Sequence, residues 1–83
     1  MLVKVLKEND LQIRHHVAAK LKRHRKLLGH TQEEVAQCLG ITPQQLQKYE
    51  KGVDRISAER LWGLSTVFSV PLTFFYEGLS VKR

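Results

Sequence analysis

The side chains best equipped for chemistry in this 83-residue chain are amides and ammonium groups, crowded between residues 42 and 51. A glutamine can make two hydrogen bonds to adenine through N6 and N7, and a lysine can donate to O6 or N7 of guanine. If the segment is helical, Leu46 and Tyr49 point inward, and the outward row consists of Gln44, Gln45, Gln47, Lys48 and Lys51. Such a row could read base edges in DNA, although an ordinary helical hairpin can carry the same polar face.

A short helix is expected immediately before this row. Thr31 and Glu34 form the Thr-x-x-Glu pattern of a capping box, which predicts a helix start. Gly40 predicts the end of that helix. Ala36 and Gly40, four residues apart, supply the small residue and the turn glycine that a helix-turn-helix needs.

The row itself is predicted to lie on the next helix. Thr42 is expected to cap its N-terminus, with Pro43 in the first turn, where the missing N–H costs nothing. Gly52 is expected to close it. Two capped helices at this spacing favour a base-reading device over a hairpin without function.

A longer helix should precede this pair, over residues 10–28. Asn9 or Asp10 is expected to cap it, and Gly29 to end it. Its apolar stripe follows the 3.6-residue helical period and consists of Ile13, Val17, Leu21 and Leu28. Residues 1–9 show no helical period and are expected to form a short strand or an unfixed arm.

Two further helices are expected after the pair. Ser57 should cap the fourth, and Pro71 should open a short fifth helix in which Leu72 and Phe75 face inward. No segment alternates with period two, so the fold class is predicted to be all-α, a compact bundle of five helices. The expected divisions are an arm at 1–9, a domain at 10–78 and a tail at 79–83.

The charge of the chain favours a polyanionic partner. The formal net charge is +6 and the pI is about 9.8. No carboxylate occurs from residue 11 to residue 32, whereas solvated helix faces usually mix signs. The basic residues in that span are Arg14, Lys20, Lys22, Arg23, Arg25 and Lys26.

Several other classes of protein are not favoured. The single cysteine, Cys38, cannot form an internal disulfide, and no apolar run is long enough for a membrane span or a signal peptide, so a cytoplasmic location is expected. The four histidines show no metal-ligand spacing, and neither a phosphate loop nor a nucleophile elbow is present. The sequence therefore predicts no enzyme, no metal, no cofactor and no evident small-molecule effector.

The stretch GHTQEEVAQCLGITPQQLQKYEKG, continued by ISAERLWGLSTVFSVPLTFF, closely resembles the Cro/repressor-type helix-turn-helix domain of Xre-like bacterial and phage transcription regulators. The resemblance covers about residues 13–78. It implies a lambda-repressor-like fold in which helices 2 and 3 form the helix-turn-helix. It also implies double-stranded DNA as the partner.

The resemblance also implies roles for individual residues. The positions that match base-reading residues are Thr42, Pro43, Gln44, Gln45 and Lys48. The positions expected at phosphates are Gln32, Lys51 and Arg55, to which the basic stretch of the first helix adds Arg23. Arg25 and Glu50 match a partly buried ion pair. Pro43 departs from the family pattern, because its side chain has no hydrogen-bonding group and can offer only an apolar contact.

The C-terminal segment carries more apolar bulk than a small core requires. These side chains either complete the core or form a homodimer interface, for which the candidates are Trp62, Phe74, Tyr76 and Leu79. A dimer would place two reading helices about 34 Å apart on a palindrome. The expected function is that of a homodimeric DNA-binding transcriptional regulator, and repression is favoured over activation. The alternative is an antitoxin-type module that docks a partner protein through residues 1–9 or the apolar tail.

Overall fold

Four α-helices and one 3₁₀ turn make up the regular structure of residues 4–80, the part of the chain that this computed structural model describes. The helices are α1 (Leu6–Leu27), α2 (Gln32–Leu39), α3 (Pro43–Glu50) and α4 (Ala58–Phe68), and the 3₁₀ turn spans Leu72–Tyr76. The prediction of an all-α domain is confirmed for these residues. The predicted fifth helix is instead the 3₁₀ turn, in which the Phe74 N–H donates to the Pro71 carbonyl at 2.9 Å.

The first helix begins earlier than predicted, at Leu6 rather than near Asp10. Asn9 does not cap it. Its side chain is buried inside the first turns, and its Nδ2 donates to the Val5 carbonyl at 2.7 Å. Residues 6–9 of the expected arm are therefore helical, and residues 1–3 of that arm and 81–83 of the expected tail lie outside the described part.

The local signals of the helix pair are confirmed. The Thr31 Oγ1 accepts from the Glu34 N–H at 3.1 Å, and the Glu34 carboxylate accepts from the Thr31 N–H at 2.8 Å, which completes the capping box. Gly40 ends α2 with φ of +70°, a left-handed conformation in which a glycine is unstrained. Thr42 caps α3 by accepting from the Gln45 N–H at 3.1 Å.

The core lies where α1, α3 and α4 meet the 3₁₀ turn. Its fully enclosed apolar side chains are Leu21, Leu46, Leu64 and Phe75, with Val35 and Ala36 contributed by α2. Two predictions about the core are wrong. Leu28 is exposed because α1 has already ended at Leu27, and Leu72, the first residue of the 3₁₀ turn, is exposed. Phe75 is buried, as predicted.

Among residues 4–80, no helix combines the length and the apolar character that crossing a bilayer requires.

Candidate nucleic-acid interface

The third helix has two chemically distinct faces. Leu46, Tyr49 and Glu50 are buried against the rest of the domain. The opposite face is polar, and its exposed members are Gln44, Gln47, Lys48 and Lys51, with Pro43 and Gln45 half-buried beside them. An eight-residue helix is too short to be stable alone, so the buried face is what holds the polar face in place.

The second helix supports α3 through a close crossing. Ala36 is almost completely buried, and its carbonyl accepts from the Ile41 N–H at 3.0 Å in the turn that follows Gly40. A methyl side chain at this crossing allows the two helix backbones to approach. The small residue and the turn glycine expected from the sequence therefore stand where a helix-turn-helix needs them.

An ion-pair network fixes the C-terminal end of α3. The Arg25 Nε lies 2.5 Å from one oxygen of the Glu50 carboxylate, and the Arg25 Nη2 donates to the other at 3.0 Å. This hydrogen bond raises the pKa of the Arg25 guanidinium above its ordinary value. The Arg25 Nη1 also donates to the His30 carbonyl at 2.8 Å. Arg25 is thus enclosed by its own chain.

Gln32 joins the same network from the start of α2. Its Nε2 donates to the Glu50 carboxylate at 3.0 Å, so one of its two amide hydrogens is already used within the chain. Gln32 therefore braces α2 against α3. The phosphate contact expected of Gln32 would therefore have to use the second hydrogen of its amide nitrogen, and the side chain is half-buried.

Arg55, for which a phosphate contact stays a prediction, is paired with an acid of α1 within the chain. Its Nη2 donates to the Asp10 carboxylate at 2.7 Å, although the arginine side chain is 73% exposed. Arg14 shares the same carboxylate at 3.1 Å and also donates to the Val53 carbonyl at 3.1 Å. The hydrogen bond from Arg55 lowers the pKa of Asp10 below its usual value, with Arg14 adding to the effect. Sequence reasoning missed this clamp, because Asp10 and Arg55 are 45 positions apart.

A second acid, Asp54, contacts the reading helix itself. Its carboxylate accepts from the Gln45 Nε2 at 3.0 Å, and both side chains are half-buried. Sequence reasoning missed this residue too. The only signal in the sequence was that Asp54 places an acid between Lys51 and Arg55, in a loop that is otherwise basic.

The carboxylate-free stretch of α1 leaves several cations on the surface. Lys22, Arg23 and Lys26 are exposed. Lys20 is half-buried, and its Nζ has partners within the chain: it lies 4.6 Å from the centre of the Phe74 ring and 3.7 Å from the Glu77 carboxylate. Arg23 is therefore exposed on this surface, and its contact with a phosphate stays a prediction.

The apolar residues expected at a dimer contact differ in exposure. Trp62 is 62% exposed and Tyr76 is 43% exposed. Phe74 instead packs within its own chain, with its ring centre 4.7 Å from that of His24 and against the core. Leu79 is half-buried where the chain turns after the 3₁₀ segment. Of the four, Trp62 and Tyr76 have the most surface left for another molecule.

Comparison with known proteins places this geometry in a family. The helix-turn-helix family model HTH_3 matches residues 21–75, which contain α2, α3, α4 and all but the last residue of the 3₁₀ turn. The chain belongs to this family. The resemblance to Xre-like helix-turn-helix regulators is thereby confirmed.

Two relatives illustrate the match. An uncharacterised HTH-type transcriptional regulator of Sinorhizobium medicae is 45% identical over 71 residues, covering 86% of this chain and 50% of the relative. An uncharacterised transcriptional regulator of Rhodospirillum rubrum, from its ATPase CF(0) region, is 38% identical over 76 residues, covering 87% of this chain and 70% of the relative. The helix-turn-helix chain thus spans about half the length of the Sinorhizobium protein.

Solved structures share the fold. The N-terminal DNA-binding domain of SinR from Bacillus subtilis superposes with a TM-score of 0.70 at 25% identity, covering 80% of this chain and 99% of that one. The clp gene regulator ClgR from Corynebacterium glutamicum gives a TM-score of 0.73 at 24% identity, covering 76% of this chain and 67% of the other. At the latter identity the likeness concerns the fold alone.

Proposed function

We propose that this helix-turn-helix regulator binds a palindromic DNA operator as a homodimer and represses transcription there. The polar face of α3 lies in the major groove and reads base edges, and basic residues around it contact phosphates. A domain seated in the groove excludes other proteins from the same DNA, so it represses wherever its operator overlaps DNA that the transcription machinery needs.

One observation carries this proposal, the separation of α3 into a buried and an exposed face. Its apolar and acidic side chains are enclosed, so the helix is held rigidly by the domain. Its amides and ammonium groups stand on the exposed side, namely Gln44, Gln47, Lys48 and Lys51. Of these groups, the Gln44 amide and the Lys48 ammonium group match the acceptors and donors of purine edges in the major groove, whereas Lys51 follows the last turn of α3 and is assigned to phosphate.

Affinity is expected to come mainly from charge. The net charge of +6 and the exposed cations Lys22, Arg23, Lys26 and Lys51 suit a phosphate backbone. These contacts supply affinity and register, while the side chains on α3 supply discrimination among sequences. Arg25 is left out of the phosphate set, because its guanidinium is enclosed with Glu50.

Homodimerisation is supported by the exposed aromatic residues that follow α3. Trp62 on α4 and Tyr76 at the end of the 3₁₀ turn keep much of their surface in solvent, and Leu72 is exposed as well. Aromatic side chains are enriched at the centres of protein interfaces. A dimer with two-fold symmetry would present two copies of α3 to two half-sites.

Selection of bound duplexes from a random pool, followed by titration at several salt concentrations, tests the DNA-binding part. We expect one palindrome to bind on the order of 10³-fold or more tighter than random duplex, and affinity to fall steeply with salt. Equal affinity for all duplexes would refute sequence-specific binding.

Sedimentation of the purified protein tests the dimer separately. Trp62→Ala should shift the equilibrium toward monomer, whereas Leu11→Ala, which removes a similarly exposed apolar side chain from α1, should not. A monomeric wild-type protein that forms a complex only with a second, different protein would favour the antitoxin alternative instead. Repression is tested with a reporter gene placed downstream of the selected palindrome, whose expression should fall when the protein is present.

A further inference from the structure

The geometry points to Asp54 as the residue that sets the base preference of Gln45: it holds the Gln45 amide in the orientation that favours adenine over guanine. The inference rests on the proposed DNA binding and deepens it. Asp54 need not touch DNA to do this, so it acts as a positioning residue.

Gln45 occupies a constrained place at the groove-facing end of α3. It is the third residue of the helix, and its backbone N–H is held by the Thr42 hydroxyl at 3.1 Å. The N-terminal residues of such a helix are the ones that contact base edges. The Gln45 side chain is half-buried, with its Nε2 3.0 Å from the Asp54 carboxylate.

The chemistry of the two groups fixes which way the amide faces. An ionised carboxylate can only accept hydrogen bonds, so the nitrogen of the Gln45 amide, and not its oxygen, must face Asp54. The nitrogen has a second hydrogen, and the oxygen is not engaged by Asp54. The groups left for another molecule are therefore one acceptor and one donor.

That pair of groups complements adenine. Adenine presents a donor at N6 and an acceptor at N7 in the major groove, which match the Gln45 oxygen and its second N–H. Guanine presents acceptors at both O6 and N7, so a Gln45 held in this orientation would bring its own oxygen against O6. A reversed amide would fare no better, because its oxygen would then face N7. Only adenine takes two hydrogen bonds, and only from the orientation that Asp54 holds in place before DNA binds.

The loop that carries Asp54 is itself tied to α1. The carbonyl of the preceding residue, Val53, accepts from Arg14 at 3.1 Å, and the following residue, Arg55, donates to Asp10 at 2.7 Å. The residues directly before and after Asp54 are thus both hydrogen-bonded to α1. A carboxylate held in this way can impose an orientation on the more mobile glutamine.

Base preference measured pair by pair tests the inference. The probes are the duplex selected by the wild-type protein and all its single base-pair substitutions. At the pair facing Gln45 we expect wild type to prefer adenine over guanine by roughly five- to 150-fold, the range of one good bidentate contact. Asp54→Asn keeps the shape but can face either end of the amide, so the adenine contact loses its prearranged amide and the ratio should fall at that pair alone. Asp54→Ala, which lacks the acceptor, should do the same.

The Gln45→Ala background separates positioning from charge. There, Asp54→Asn should leave the adenine-to-guanine ratio unaltered and only strengthen binding to all duplexes alike, because a negative charge has been removed. Glu59→Gln is the matched control, since it removes an exposed acid from the first turn of α4. Made in the protein that keeps Gln45, this control should leave the adenine-to-guanine ratio at its wild-type value.

Two results would overturn the inference: an unchanged ratio in Asp54→Asn, or an equal change with and without Gln45. A wild-type protein with no base preference at any pair would instead refute the proposed function itself.

Discussion

Arg25 on α1 and Glu50 at the end of α3 form a two-pronged ion pair, with Nε 2.5 Å from one carboxylate oxygen and Nη2 3.0 Å from the other. Only 9% of the arginine side chain and 2% of the glutamate side chain remain exposed. Gln32 donates to the same carboxylate from α2. A single carboxylate therefore connects the three helices whose mutual placement presents the polar face of α3.

Breaking this pair from one side should strongly destabilise the domain. Glu50→Ala leaves the Arg25 charge buried and unpaired, which is expected to cost about 3–5 kcal/mol in the free energy of unfolding measured with urea. The double change Arg25→Met with Glu50→Leu removes both charges and should cost less than Glu50→Ala alone. Arg23→Ala, an exposed control on the same helix, should stay within about 0.5 kcal/mol of wild type. A loss for Glu50→Ala no larger than the control would contradict this account.

Two glycines with nearly the same backbone conformation should differ in their tolerance of alanine. Gly40 has φ of +70° with no atom within 4 Å of an added β-carbon, whereas at Gly52, with φ of +72°, that carbon would lie 2.6 Å from the His15 Nδ1. Gly40→Ala should cost about 1–2 kcal/mol from backbone strain alone. Gly52→Ala should cost more, because the His15 ring must also move. Equal midpoints in urea unfolding would show that His15 yields freely.

Lys48 and Lys51 should differ in what their removal does to DNA binding. Lys48 stands on the base-facing row, so Lys48→Ala should relax discrimination at particular base pairs by about 1–3 kcal/mol. Lys51 caps the C-terminal end of α3, and Lys51→Ala should weaken all sequences alike. Binding isotherms at several salt concentrations should then show that the slope of log K against log salt concentration is smaller in magnitude by about 0.9 for Lys51→Ala.

Gln44→Ala should behave like Lys48→Ala. Identical losses of affinity on selected and random duplex for all three variants would argue against this division between base reading and phosphate contact.

The clamp between Asp10 and Arg55 should appear in the pH dependence of stability. Because Arg55 lowers the pKa of Asp10 below 3.8 in the folded state, the unfolded chain takes up this proton first as the pH falls. The contribution of the clamp is therefore fully present above the unfolded pKa and is lost as the pH falls through the folded one. Asp10→Asn should be less stable than wild type at pH 7, and the difference should shrink in acid.

Titration of the Asp10 carboxyl by NMR gives an independent measurement of the same clamp. Arg55→Ala should move the pKa of Asp10 upward toward 3.8, because the leading hydrogen bond is lost. Arg60→Ala is the control, since Arg60 donates to the Tyr49 hydroxyl at 2.6 Å and does not contact Asp10. An Asp10 pKa that Arg55→Ala leaves in place would mean that the ion pair does not persist in solution.

The sequence by itself determined the features that depend on neighbours in the chain. The capping box of Thr31 and Glu34, the left-handed Gly40 and the cap at Thr42 all involve residues no more than three positions apart, and all formed as expected. The amphipathic division of α3 followed from helical periodicity. Together these local signals specified the helix-turn-helix and the face that it exposes.

Tertiary structure decided what depends on residues distant in sequence. The start of α1 at Leu6 could not be predicted from the sequence, because asparagine is typical of a helix cap whereas Asn9 is buried within the helix. The 3₁₀ turn, which buries Phe75 and exposes Leu72, depended on packing against α1 and α4. The contacts of Asp10 with Arg55 and of Asp54 with Gln45 join separate elements. Side-chain charge and propensity do not specify such pairs, because the partner is set by which surfaces the folded core brings within hydrogen-bonding distance.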